Sequence, residues 1–135
     1  MPNVVTCILK NKEGKILILK RSDKVRTYRG LWCGISGYVE KNEQPIDTAY
    51  KEIEEETGLS KTDVKLVKQG ENISFSDIYK GEKYNWTVFT FLFFKKNGKI
   101  NIDWEHSLYR WISPSKIEDY DTVPHFLDVV SNFQK

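Results

Sequence analysis

The stretch GYVEKNEQPIDTAYKEIEEETGL, residues 37 to 59, constrains this chain more than any other. Its second half predicts a helix from Pro45 to Thr57. Proline suits a first helical turn, where its missing N–H costs nothing, and Gly58 suits the left-handed position just past the end. A wheel turning about 100° per residue gathers Ile46, Ala49, Tyr50, Ile53 and Thr57 on one buried arc. Glu52, Glu55 and Glu56 follow the i, i+3, i+4 rule on a second arc beside it, while Glu54 projects towards solvent.

Like charges at that spacing destabilise an isolated helix by roughly 0.2–0.5 kcal/mol per pair, so the arrangement calls for compensation or a cation. Hard oxygen ligands suit Mg²⁺, with Mn²⁺ as the alternative, and such ions also bind substrate phosphates. Taken alone, the three glutamates read first as a solvated acidic face, which is what charge runs usually are.

The rest of the chain predicts the frame that would carry this helix. NVVTCILK and KILILKRS, joined by NKEG, read as a hairpin over residues 3 to 21. LWCGISGYVE, VKLVKQGENISFSDIY and KYNWTVFTFLFFKK read as strands, and Asn97-Gly98 as a hairpin turn into a strand at KINID. LYRWIS gives a last strand, SPSKIEDY a short helix, and TVPHFLDVVSNFQK an amphipathic helix through Phe126, Val129, Val130 and Phe133. Strands flanking two substantial helices imply an α/β fold, a three-layer α/β/α sandwich with a mixed sheet. With 135 residues, no linker and no repeat, the expectation is a single domain over 1–135.

Composition narrows the partners. Twenty-one basic against 19 acidic residues leave a net charge of +2, too balanced to point to a nucleic-acid polymer or a membrane surface. The longest apolar run, VFTFLFF, is too short to span a bilayer, and the first residues lack the pattern of a secretory signal. Cys7 and Cys33 lie in apolar strand-like segments without metal spacing, which reads as buried free thiols in a cytoplasmic protein.

Counting from Gly37, five residues reach Glu43, seven more reach Lys51, and Glu-Ile-Glu-Glu-Glu-Thr-Gly-Leu follows. The segment resembles the signature of the Nudix hydrolases, G-x5-E-x7-R-E-U-x-E-E-x-G-U, where U is a bulky aliphatic residue. A chance match to its six fixed Gly and Glu positions is on the order of one in ten million per window. Lysine at 51 in place of arginine is the one departure.

The resemblance implies a Mg²⁺-dependent pyrophosphohydrolase that cleaves a nucleoside diphosphate linked to another moiety, by attack of water on phosphorus. It implies Glu52, Glu55 and Glu56 as metal ligands, with the carbonyl of Gly37 as a further one. It makes Glu43 a support of the helix through residue 51, with Gly58 closing the motif. Lysine offers one compact ammonium where arginine offers a planar fork, so Lys51 reads either as that support or as a solvated partner of Asp47. The catalytic base is divided between Glu55 or Glu56 and Glu105.

EHSLYRWISP, from 105, is similar to a segment of family members acting on dinucleoside polyphosphates and on nucleoside triphosphates. It implies Glu105 near the metal site and His106 at its rim; His106 by itself reads as a surface histidine, and His125 as an ordinary helix residue. The basic loop KRSDKVRTYRG offers phosphate contacts, with Arg21 and Arg29 favoured, and Tyr79 is a candidate base contact. Tyr28 and Trp32 read as stacking groups or as core. Dinucleoside polyphosphates and nucleoside triphosphates lead as substrates, ahead of ADP-ribose and nucleotide sugars. The rivals are a Nudix-fold module that binds nucleotide without cleaving it, and a structural metal-binding domain. Nudix enzymes are often homodimers, but no segment here specifies an interface.

Overall fold

The computed structural model describes residues 3 to 134, with Tyr79 described in its backbone alone. Eight strands form one mixed sheet: β1 (Asn3–Lys10), β2 (Ile16–Arg21), β3 (Trp32–Cys33), β4 (Ile35–Tyr38), β5 (Val64–Gln69), β6 (Ile73–Tyr79), β7 (Glu82–Lys95) and β8 (His106–Ile112). The order along the main path is β3-β2-β1-β7-β5, with β8 on β2, β4 on β1 and β6 on β7. β1 and β7 run parallel from Asn3↔Thr87 to Lys10↔Phe94, and the other pairs of strands are antiparallel.

Alternation along the strands makes the sheet two-faced. Val5, Cys7, Leu9, Leu17 and Leu19 point to one side, where Ala49 and Ile53 of helix α1 (Pro45–Thr57) complete the core. Ile8, Ile16 and Ile18 point to the other, against Phe126, Val129 and Val130 of helix α2 (Phe126–Asn132). This is the α/β/α sandwich that the sequence predicts. Each fully buried Ile or Leu contributes roughly 1.5–3 kcal/mol relative to exposure, so the two faces together clamp both helices.

Three local expectations change. The hairpin over 3 to 21 closes at Lys10↔Ile16, but its strands then part, because β1 takes β4 at Val4–Cys7 while β2 takes β8 and β3. KINID forms no strand: just before it Lys96 and Asn97 donate to the Asp63 carbonyl, and within it Asn101 donates to that of Thr57 at the end of α1. The second helix starts at Phe126, after His125 in the left-handed region (φ 68°), and SPSKIEDY forms a 3₁₀ helix, Pro114–Asp119. Trp32 is core, edge-on to Tyr120 and beneath the Arg110 guanidinium. No helix is long and apolar enough to cross a membrane among the described residues.

Candidate active site

Helix α1 begins and ends as its sequence predicts. Pro45 sits in the first turn, and Gly58 takes φ 77° with its N–H donating to the Glu54 carbonyl at 2.9 Å. The start is anchored by Glu43, whose carboxylate accepts from Thr48 Oγ1 at 2.5 Å, from Lys51 Nζ at 2.9 Å and from the Glu40 N–H at 3.2 Å. The Thr48 hydroxyl first, and then Lys51, hold the Glu43 carboxyl down at about 2. Lys51 therefore pairs with Glu43 rather than Asp47.

The helix face carries the charge deeper than a surface would. Glu52 is 9% exposed and Glu56 only 1%, while Glu54 and Glu55 are exposed. Glu52 folds against the backbone of Gly37 so closely that a β-carbon there would lie 2.3 Å from its carboxyl carbon. Only glycine permits that approach.

Glu56 Oε1 accepts from the Ser36 N–H at 3.3 Å and faces His106 Nε2 at 3.8 Å, while Oε2 is buried without a donor. Burial first, then the charges of Glu52, Glu105 and Asp103, push the Glu56 carboxyl well above the usual range. Burial and Glu55 likewise push Glu52 up to about 7.

Behind Glu56 stands a group the sequence misplaces. His106 is buried, not at the surface or the rim, with Nδ1 2.8 Å from Asp103 Oδ1 and Nε2 3.8 Å from Cys33 Sγ. Burial lowers its pKa. A neutral imidazole whose Nδ1–H donates to Asp103 leaves the Nε2 lone pair towards Glu56. Asp103 itself was hidden in the segment read as a strand; its position three residues before His106 was the available signal.

Of these groups Glu52, Asp103 and Cys33 line a cleft of about 700 Å³, whereas Glu56 and His106 are not part of its lining. Lys51, Glu52, Glu55, Asp103 and Glu105 contribute to its charged part, and Gly37 lines it beside Glu52. Glu105 is half-buried, and burial and then Asp103 raise its pKa. Phe75, Trp86 and His125 contribute a wall of rings, with the Phe75 and His125 ring centres 3.9 Å apart. His125 is thus a cleft residue rather than an ordinary helix position. Arg21 lines the cleft and is held by Thr27, with Nε donating to its carbonyl at 2.9 Å. Arg29 is exposed, donates to the Val25 carbonyl at 2.6 Å and lies outside the lining. Tyr28 lines the cleft and donates its hydroxyl to Asp77. Tyr79 ends β6 opposite Glu82, and its side chain lies outside the described residues.

Among the described residues, no three His, Cys, Asp or Glu side chains are drawn together as a ready-made cation cage. The donor set nevertheless fits a hard divalent ion. Glu56 Oε2 is an orphaned buried acceptor, the Glu52 carboxyl is pressed onto Gly37, and burial opposes ionisation of both in a way a cation reverses.

Fold and cleft together define a class: an α/β/α sandwich with an acid-lined cleft beside one glutamate-rich helix. The sequence model of the NUDIX domain matches residues 1–132, and the chain belongs to the Nudix family. It is 27% identical over 132 residues to the RNA pyrophosphohydrolase of Pelagibacter ubique, covering 87% of this chain and 79% of that one. It is 28% identical over 122 residues to the nucleoside triphosphatase NudI of Escherichia coli, covering 87% and 86%. The MutT protein of Methanosarcina mazei superposes with a TM-score of 0.77 at 25% identity, over 98% of this chain and 92% of that one. The Ap4A hydrolase of C. elegans shares the fold, with a TM-score of 0.77 at 16% identity over 99% and 96%. The chain is a hydrolase of pyrophosphate bonds, in a family that generally uses divalent metals.

Proposed function

We propose that the cleft hydrolyses a phosphoanhydride bond in dinucleoside polyphosphates or nucleoside triphosphates. The observation that carries this reading is the orphaned, buried oxygen of Glu56, one turn along the helix from the Glu52 carboxyl that lies against Gly37 at a cleft lined by further carboxylates, by Arg21 and by a wall of rings. Glu52, Glu55 and Glu56, with the Gly37 carbonyl, would hold Mg²⁺ or Mn²⁺. The ion, when bound, supplies charge neutralisation at the bridging phosphates and acidifies water.

The chain's own residues do the rest. Arg21 reaches into the cleft from a fixed position and places a permanent positive charge for the phosphates. Glu105, half-buried and with its pKa raised, is the proton acceptor we favour. Lys51 and Glu43 fix the start of α1, and through it the spacing of the three glutamates. His106 and Asp103 hold Glu56 from behind. Cys7 and Cys33, both free and buried, suit a reducing cytoplasmic setting.

Product release from diadenosine tetraphosphate, nucleoside triphosphates, ADP-ribose and a nucleotide sugar, with Mg²⁺ and with chelator, tests the reading. Metal-dependent cleavage abolished by Glu56→Gln is expected. No turnover of any member by folded protein would sink it in favour of a binding module.

A further inference from the structure

Several large apolar side chains are exposed, and most are away from the cleft. Val67, Ile78, Leu108 and Tyr109 lie outside its lining, whereas Tyr38 and Trp104 belong to it. Tyr38 is accounted for, since its ring stacks on Trp86 at 5.9 Å. Trp104 is not: it is 62% exposed, and among the described residues its indole has no hydrogen bond and no ring contact.

The backbone beneath that indole is held firmly. The Trp104 carbonyl accepts from the Ser22 hydroxyl at 2.9 Å, and the Glu105 carbonyl accepts from the Ser22 N–H at 2.8 Å. The Asp103 carbonyl accepts from the His106 N–H at 3.2 Å, and its carboxylate from the same residue's ring. Ser22 is itself buried. An aromatic plate on a pinned backbone loses little freedom when a planar group covers it.

Its place decides what that group is. Trp104 sits between Asp103 and Glu105, at the carboxylates. The other rings of the cleft form a separate wall, linked from Tyr38 through Trp86 and Phe75 to His125 by ring contacts that do not include Trp104. The cleft thus presents two aromatic surfaces, the ring wall and the indole that stands between Asp103 and Glu105.

We propose that Trp104 stacks a second nucleobase, so that the preferred substrate is two nucleosides joined through a polyphosphate. One base lies on the ring wall, the phosphates lie at the carboxylates, and the other base covers the indole. This rests on the nucleotide reading above and selects among its substrates: a nucleoside triphosphate leaves Trp104 bare.

The test compares diadenosine tetraphosphate with adenosine 5′-tetraphosphate, which has the same phosphates and lacks the second base. Calorimetry with Ca²⁺ in place of Mg²⁺, to slow turnover, measures both affinities for the wild type, Trp104→Ala and Trp104→Phe. Since stacking one base on an aromatic side chain commonly changes affinity by about tenfold or more, the wild type should prefer the two-base ligand by about that factor. Trp104→Ala should erase the preference and Trp104→Phe restore most of it, with circular dichroism confirming that each variant is folded. Equal binding of both ligands, or a preference that survives Trp104→Ala, overturns the inference and leaves the hydrolase reading standing. Binding of neither, with no anhydride cleaved in the Mg²⁺ panel, overturns both.

Discussion

Glu56 Oε1 faces His106 Nε2 across 3.8 Å, and each side chain is only 2% exposed. The Asp103 bond at Nδ1 leaves Nε2 with a lone pair, so two acceptors meet unless a proton or a cation intervenes. Glu56→Gln removes the charge while keeping the shape. The expected result is a fall in kcat of at least about a hundredfold, the scale of losing one charge-stabilising group, with the fold retained. Steady-state kinetics beside a thermal melt checks both halves.

The metal-free protein should have an inverted pH response. Burial and the charge of Glu55 raise the Glu52 carboxyl from an ordinary 4.5 to about 7, so across that window the unfolded chain releases a proton that the folded chain keeps. The stability contributed by the protonated carboxyl is full below that window and is lost as pH rises through it. Melts in chelator should therefore show a contribution that falls from pH 5 to pH 7. Glu52→Gln should remove this contribution, and added Mg²⁺ should raise Tm most at the upper end. A pH response unaltered by Glu52→Gln would refute the assignment.

Gly37→Ala tests the contact at the other carboxylate. The added β-carbon would lie 2.3 Å from the Glu52 carboxyl carbon, so the glutamate must move. Activity should fall at least about tenfold, a modest outcome for a misplaced site group, while Tm changes little because Gly37 lies at the edge of the core. Kinetics and melting read the two effects separately.

Lys51 should matter through Glu43. Lys51→Met leaves Glu43 with Thr48 and the Glu40 N–H alone, and kcat should drop several-fold. Lys51→Arg restores a fork that can span two carboxylates, so activity should match or exceed the wild type. If Lys51→Met proves as active as the wild type, the lysine has no part in positioning the helix.

Much of this was legible in one dimension. Pro45, Gly58 and the buried arc through Ala49 and Ile53 follow from helical periodicity, which is local and so readable. The two-faced sheet follows from strand alternation for the same reason. The misreadings share a cause as well. KINID alternates like a strand, yet its Asn101 N–H bonds the Thr57 carbonyl at the end of α1 instead of a neighbouring strand, and Asp103 at its end pairs with His106.

Sequence alone determined the helix, its acidic face and the family that its spacing marks. Tertiary structure decided how deeply Glu52 and Glu56 are buried, that His106 is buried behind Glu56, that Arg21 rather than Arg29 enters the cleft, and that Trp104 stands bare beside the carboxylates. Periodicity fixes which face a side chain takes, but burial, proton affinity and free surface depend on which distant segments pack against it.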